Sequence, residues 1–476
     1  MTPDEFRRLG HTWVDWVADY RARVETFPVM SPAHPGEVRR AFAEHPPERG
    51  QSLDALLPQL EKHVLPGITH WSHPAFFAYF PCVTSGSAVL ADLVISGLGV
   101  QAMSWQTSPA ATELEEVTMD WVRQMVGLPA VFEGAIQDTA STGNLIALLC
   151  ARERATEFSQ ERGGFQNATS RLTVYFSEEA HSSVEKGALL AGFGRDNLRR
   201  IPSDPLTHAI LPNRLAERVA ADVAAGLHPC AIVAGTGTTA TTAFDDVGAL
   251  AELAAAHGAW LHVDAAMAGV AMVLPQMREL WKGVEHADSV VLDPHKWMGT
   301  GVDCSAYFVR DPALLTRVMS MTPSYLRTSQ DGQVKNLRDW GIALGRRFRA
   351  LKLWFLFHEI GVEGLRQRVQ RDLENAQWLA KQVDAASTWK RLAPVLLQTV
   401  CIQHRPLGLD ASRVAAHNLG IAQRLNASGK AYVTPAVVKG EQLIRVSIGA
   451  LTTERKHVEE LWALLQQCAI ENPAHD

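Results

Sequence analysis

"DSVVLDPHKWMGTG", residues 288 to 301, opens with an apolar, β-branched run and then delivers Asp293, His295, Lys296 and Trp297 in quick succession. The run reads as a buried strand. A lysine at the end of a buried strand carries a charge that is costly to desolvate, so it must pair with something or react with something. The same pattern recurs upstream. "LTVYFS" (172–177) reads as a strand and is followed by His181. "CAIVAG" (230–235) is followed by Thr236, Gly237 and Thr238, and "AWLHV" (259–263) by Asp264. Helical patterns lie between: "SSVEKGALLAG" (182–192), and "VGALAELAAAHG" (247–258), which glycine closes. This alternation predicts an α/β fold with a mostly parallel sheet covered on both faces. Ligands of such sheets collect at the carboxyl ends of the strands, where each of these residues falls.

Singly, each has a plain structural explanation. His181 could sit in a turn, Asp264 could cap a helix, and Lys296 could snorkel to the surface. Four loaded strand ends in order are harder to dismiss. They are preceded by "IQDTASTGNLIALLCARERA" (136–155), a small-residue loop running into a helix. The free N–H groups and positive end of such a helix suit a phosphate. Neither G-x-x-x-x-G-K-[ST] nor G-x-G-x-x-G is present, which disfavours a nucleotide or a dinucleotide. A phosphate seat, a carboxylate, a flat imidazole and a lysine are what pyridoxal 5′-phosphate requires. The lysine forms a Schiff base with the aldehyde, the carboxylate keeps the pyridine nitrogen protonated, and the imidazole stacks on the ring.

Composition sets the limits. The chain has 476 residues, 47% of them hydrophobic and 20% charged, with a net charge of −6, as expected of a soluble globular protein. The mild acidity disfavours nucleic acid or an anionic membrane as partner. "RRFRALK" alternates with apolar residues at helical spacing and reads as a helix with one solvated face. The six cysteines form no C-x-x-C pair and read as free thiols. The N-terminus lacks the apolar core of a signal peptide, and no run of 18 apolar residues appears. A cytoplasmic protein is expected.

Three regions are expected. Residues 1–85 are helical and proline-rich, and "TPDEF" starts a capped helix. Residues 86–365 form the large domain. Residues 366–476 form a small α+β domain, with a helix in "LRQRVQRDLENAQWLAKQVDAA", strands in "TVCIQHR", "AYVTPAVV" and "LIRVSIG", and a last helix in "ERKHVEELWALLQQCA".

Nearly the whole chain resembles the group II pyridoxal-phosphate decarboxylases of the aromatic L-amino-acid type, most closely the bacterial L-DOPA decarboxylases. The stretches that carry the resemblance run from "EFRRLGHTWVDWVADY" through "PGITHWSHPAFFAYFP", "SWQTSPAATELE", "AHSSVEKGALLAG", "LHVDAAMAG", "DPHKW", "DCSAYFVRD" and "PSYL" to "LGRRFRALKLWF". It implies a fold-type-I, aspartate-aminotransferase-like homodimer with active sites shared between subunits, the N-terminal segment wrapping the dimer. It implies Lys296 as the Schiff-base lysine, Asp264 at the pyridine nitrogen, and Ala266 on the ring face opposite His181. Ala140 and Ser141, with Thr236 and His295, are implied around the cofactor and its phosphate. Trp71, Tyr79, Phe80, Pro81, Cys82, Gln101 and Met103 match the substrate pocket. Tyr325 matches a loop tyrosine that supports protonation at Cα. In the family, phenylalanine at that position, or asparagine in place of the histidine, goes with oxygen-using aldehyde synthases. Tyr325 and His181 together imply simple decarboxylation.

The chain also departs from the family pattern. Asp293 stands where animal members carry asparagine, and a carboxylate there repels phosphate unless it is paired. Cys82, Gln101 and Met103 replace threonine and larger apolar residues, and Met267 replaces a tyrosine. Gly345 leaves room for an indole as well as a phenol. L-DOPA is the best expectation for the substrate, with tryptophan, tyrosine or an aldehyde-forming reaction as alternatives. An aminotransferase would use Arg445 to bind a carboxylate. A metal-dependent hydrolase would use His262 and Asp264 with His181 and His295, and would leave Lys296 idle.

Overall fold

The computed structural model describes residues 1–167, 171–321, 330 and 332–471. Among them are twelve strands: β1 (Phe76–Phe77), β2 (Glu133–Gln137), β3 (Leu172–Ser177), β4 (Leu198–Ile201), β5 (His228–Gly235), β6 (Trp260–Asp264), β7 (Ser289–Leu292), β8 (Ser305–Val309), β9 (Trp389–Arg391), β10 (Thr399–His404), β11 (Tyr432–Val438) and β12 (Glu441–Ser447). The chain forms two compact units. One comprises Cys82–Glu374 and Ala393–Thr399, the other Met1–Pro81, Asn375–Leu392 and Val400–Asp476.

The larger unit is built on a sheet of order β2-β8-β7-β6-β5-β3-β4. The pairs from β7 to β4 are parallel, while β8 runs antiparallel to both β2 and β7. Strands β3, β7 and β8 are buried along their whole length, as their continuous apolar sequences require. From β3 the chain crosses to β4 on one side, whereas β5, β6 and β7 follow on the other. The order therefore reverses between β3 and β5, and the crevice outside their carboxyl ends is where such a sheet binds a ligand.

Two glycines let elements approach closely there. A Cβ on Gly143, in the helix Ala140–Ala155, would lie 2.8 Å from Val291 of β7. Gly237, just after β5, has φ +81°, and a Cβ there would collide with Ala268. The helix Val247–His257 connects β5 to β6 and ends on Gly258 in the left-handed conformation, as its sequence predicts.

The smaller unit carries a sheet of order β1-β11-β12-β10-β9. Thr2 and Glu5 form a reciprocal capping box at the start of the first helix, Pro3–Ala22. Strand β1 pairs parallel to β11, matching Phe76 with Tyr432 and Phe77 with Val433. That pairing joins the N-terminal segment to the C-terminal region in one unit, where the sequence divides them at 85/86 and 365/366. The division falls between Glu374 and Asn375, inside the helical stretch Ala350–Ala385, which Gly361 interrupts. In this unit Trp71 stacks on Phe76 (4.5 Å) and Tyr79 (5.7 Å), and the Tyr79 N–H donates to Thr434 Oγ1 (2.8 Å). Arg445 donates to the Tyr79 carbonyl. Phe80 is buried, while Trp71 and Tyr79 are exposed.

Candidate active site

A cavity of about 280 Å³ lies at the carboxyl edge of the large sheet, near the lower end of the ~300–1,000 Å³ usual for small-molecule sites. Its walls come from the start of the helix Ala140–Ala155 (Thr139, Ala140, Ser141), the loop after β3 (Ala180, His181, Ser183), the end of β5 (Gly235, Gly237, Thr238), the end of β6 (Asp264, Ala266, Met267) and the end of β7 (Asp293, His295, Lys296). The sheet brings together residues that lie up to 157 positions apart in the chain, from Thr139 to Lys296.

Lys296 sits in a tight helical turn, Pro294–Met298, closed by Gly299 N–H donating to the Pro294 carbonyl (3.1 Å). Its Nζ lies 3.0 Å from Asp293 Oδ2, and His295 Nε2 lies 3.4 Å from the same oxygen. Burial opposes the charge on Lys296, but the Asp293 carboxylate more than restores it and holds the amine above its ordinary value. Burial likewise opposes the charge on Asp293, and the lysine and histidine beside it win, holding that carboxyl well below the usual range. Asp293, the residue whose role the sequence leaves open, is thus the counter-ion of the lysine. The turn is also held from behind. Trp297 Nε1–H donates to Asp372 (2.9 Å), and Arg368 donates to the carbonyls of Trp297 and Met298 (2.7 Å each).

Asp264 is held differently. Its Oδ2 accepts from Asn144 Nδ2 (3.0 Å) and its Oδ1 from the Ala266 N–H (3.1 Å). Asn144 also donates to Ser183 Oγ (2.9 Å), and its own oxygen meets His262 Nε2 (2.8 Å). His262 Nδ1 meets Ser289 Oγ (2.8 Å), and burial pushes this histidine down to about 4. His181 caps the helix Ser182–Leu190 with its ring, its Nδ1 lying 2.7 Å from Ser183 Oγ. Gly235 is fixed by a buried carboxylate, Asp245, which accepts its N–H (2.7 Å) and which burial raises to about 6. Asn144, Ser183 and Asp245 are the site residues that sequence reasoning passes over. Asn144 and Ser183 each lie in the first turns of a helix that follows a strand, and that placement is all that marks them in the sequence.

Lys296, Asp264, His181, Ala140, Ser141, Ala266 and His295 all line the cavity. Thr236 does not: it is fully buried, and its backbone N–H donates to the Asp264 carbonyl (2.9 Å). Cys82, Gln101 and Met103 belong to the larger unit but not to the cavity wall. The Cys82 thiol, pushed up to about 11 by burial, still feels the charges of Lys296 and Asp293. Gln101 Oε1 accepts the Arg346 N–H (2.6 Å), and a Cβ on Gly345 would lie 3.5 Å from its Nε2. Trp71, Tyr79, Phe80, Pro81 and Arg445 belong to the smaller unit. Tyr325 lies outside the described residues.

Both ring nitrogens of His262 are engaged, and among the described residues no group of three or more His, Cys, Asp or Glu is placed to hold a metal ion. A larger groove, about 920 Å³, opens near the starts of β6 and β7, at the opposite edge of the sheet. Its Arg154 is committed to Asp288 (2.7 Å) and to the face of Trp260 (4.7 Å), so size alone does not make it the reactive site.

The donor set fits pyridoxal 5′-phosphate. The Lys296 side chain is a quarter exposed in a cavity wall, which leaves its amine accessible. Thr139 makes no side-chain cap on the helix Ala140–Ala155, so the first turn of that helix is not closed off against an anion. Ala266 is small enough to leave a flat ring room. Asp264 already has fixed geometry before any ring arrives.

The sequence matches the family model described as the pyridoxal-dependent decarboxylase conserved domain over residues 35–405. It is 37% identical to a phenylacetaldehyde synthase of Arabidopsis thaliana, over 98% of this chain and 96% of the relative. It is 35% identical to a tyrosine decarboxylase of Papaver somniferum, over 98% and 95%. The fold superimposes on the Oryza sativa TDC solved with PLP and tryptamine with a TM-score of 0.96, at 36% identity and covering 99% of both chains.

Proposed function

The chain belongs to the pyridoxal-dependent decarboxylase family, and from that premise we propose that it is a carboxy-lyase that converts an aromatic L-amino acid to the arylalkylamine and CO2. The observation that supports this most directly is the single cavity wall that holds Lys296, Asp264 and His181. Pyridoxal phosphate, when bound, supplies an electron sink for the pair left behind as the carboxyl group departs. Lys296 would anchor the cofactor through its Nζ. Asp264, held by Asn144 and the Ala266 N–H, would keep a proton at the ring nitrogen. His181 and Ala266 would hold the ring, and the N–H groups of the first turn at Ala140 and Ser141 would hold the phosphate. Asp293 and His295 keep the amine paired until it is used. Tyr325 delivers the proton to Cα.

We assign the substrate ring to Trp71, Tyr79, Phe80, Pro81, Cys82, Gln101 and Met103, and L-DOPA as the preferred substrate. An amine-product assay of the cofactor-loaded protein over DOPA, tyrosine, tryptophan, 5-hydroxytryptophan and phenylalanine tests both. A yellow chromophore bleached by borohydride is expected, and absence of amine from every member sinks the reading. A second reading, an oxygen-using aldehyde synthase, is favoured by the likeness to the phenylacetaldehyde synthase. Oxygen uptake separates the two. Tyr325→Phe should slow amine formation and divert flux to aldehyde, ammonia and peroxide; amine alone at the full rate would refute the role of Tyr325.

We further propose a homodimer with shared sites, located in the cytoplasm. The dimer is supported by one face of the helix Gly86–Leu98, where Leu90, Leu93 and Leu98 are each about half exposed. Sedimentation should give about twice the chain mass of 52.2 kDa. The cytoplasmic placement rests on six free cysteines. Among the described residues no helix is long and apolar enough to cross a membrane.

A further inference from the structure

The hydrogen bonds around Asn144 have a direction that the chemistry of their ends imposes. A carboxylate only accepts, so the Asn144 atom 3.0 Å from Asp264 Oδ2 is the amide nitrogen. The Asn144 oxygen therefore faces His262 Nε2 at 2.8 Å, and that nitrogen must carry a proton. Burial keeps His262 neutral at ordinary pH, which leaves its Nδ1 as an acceptor. Ser289 Oγ, which receives the Trp260 indole N–H at 2.8 Å, passes its own proton to that Nδ1 at 2.8 Å. On the other side, Ser183 Oγ receives the second amide N–H of Asn144 at 2.9 Å. That leaves its hydroxyl proton free to meet His181 Nδ1, 2.7 Å away. An independent constraint agrees: the backbone N–H of Ser183, which can only donate, also points at His181 Nδ1, at 3.3 Å. Each donor from Trp260 to His181 finds an acceptor, and the Ser183 backbone N–H fixes the last link, because a proton on His181 Nδ1 would face it.

We propose that Asn144 and Ser183 are positioning residues that hold His181 in the tautomer with its proton on Nε2, so that the ring offers a hydrogen-bond donor, not a lone pair, to the cavity. The wiring begins at the residue that anchors Asp264, so one amide sets both the carboxylate and the imidazole. An acceptor atom of the bound ligand is what this donor would meet. Its importance for turnover rests on the decarboxylase reading above, whereas the tautomer itself does not.

The test is 15N NMR of the protein labelled at histidine, with and without cofactor. The His181 signals are identified by their loss in His181→Asn. The expected pattern is a protonated Nε2 and an unprotonated Nδ1. Ser183→Ala removes the 2.7 Å hydroxyl contact and leaves only the longer 3.3 Å backbone N–H to oppose a proton on Nδ1, so part of the population should change tautomer and kcat should fall about tenfold with KM little changed, well short of the ~10⁴-fold cost of a fully wrong tautomer in a serine protease triad. Ser183→Thr, which keeps the hydroxyl, should restore both. A protonated Nδ1 in the wild-type protein overturns the proposal, as does Ser183→Ala with wild-type 15N signals and wild-type kcat. The expected 15N pattern in a protein that yields no amine from any aromatic amino acid would sink the decarboxylase reading and leave the tautomer assignment standing.

Discussion

Two aspartates stand at the ends of neighbouring strands, Asp264 as the last residue of β6 and Asp293 just after β7. Each follows a short apolar run and precedes a small turn, so the sequence presents them as equivalents. Their surroundings differ. Asp264 meets only neutral donors, the Asn144 amide and the Ala266 N–H. Asp293 meets the Lys296 amine and the His295 imidazole. The first has no cation hydrogen-bonded to it, meets the Lys296 charge only at longer range, and can attract a cationic ring nitrogen. The second has its charge consumed inside the protein. A buried carboxylate takes its role from what neutralises it, not from its place on the sheet.

The sharpest break in this comparison is Lys296→Ala, which strips Asp293 of its partner and removes the anchor. The loaded protein should lose its borohydride-sensitive chromophore. Turnover should fall by more than the roughly 10²–10⁴-fold of a single proton-transfer group. Wild-type turnover in this variant would end the assignment.

Asp264→Asn should lower amine formation by roughly 10²–10⁴-fold, because the ring nitrogen loses its anionic partner. The cofactor-free protein should melt within about 4 °C of wild type, since only neutral donors lose a partner. A thermal scan beside a rate measurement checks both halves.

Asp293→Asn should behave in the opposite sense. It leaves a partly buried ammonium without its hydrogen-bonded carboxylate, and the cofactor-free protein should lose up to about 3 kcal/mol near neutral pH. The sign follows from the two shifts. Asp293 is depressed on folding, so its contribution is present above the unfolded value near ~3.9 and is lost as pH falls through the folded value. Lys296 is raised, so its contribution is present below ~10.4 and is lost as pH rises through its folded value. Denaturant midpoints of variant and wild type should therefore differ most between about pH 4 and 10 and converge in acid. If Asp264→Asn and Asp293→Asn lower stability equally, the distinction between the two carboxylates is wrong.

Much of the fold was legible because its signals are local. The strands at 172–177, 230–235, 259–263 and 288–292 appear within a residue or two of the expected limits, since β-branched runs bounded by turns need no tertiary help to be recognised. What stayed hidden depends on partners far away in the chain. The strand Phe76–Phe77 is two residues long and acquires its identity by pairing with β11, more than 350 positions on. Asn144 reads as an ordinary residue in the first turns of a helix, and only its meeting with Asp264, 120 positions later, shows what it holds. Thr236 stands between Gly235 and Gly237 of the cavity wall, yet it is fully buried and is not part of that wall.

The sequence by itself determined the alternation of strands and helices, the place of the reactive edge, and the residue types gathered on it. Periodicity and side-chain chemistry are properties of short stretches, and they survive without coordinates. Only the tertiary structure decided which oxygen faces which donor: that Asp293 neutralises Lys296, that Asp264 is left oriented for a cation, and that Asn144 sets the proton on His181. Those roles depend on distances of about 3 Å between residues up to 120 positions apart, and a hydrogen bond has no meaning until both of its ends are in place.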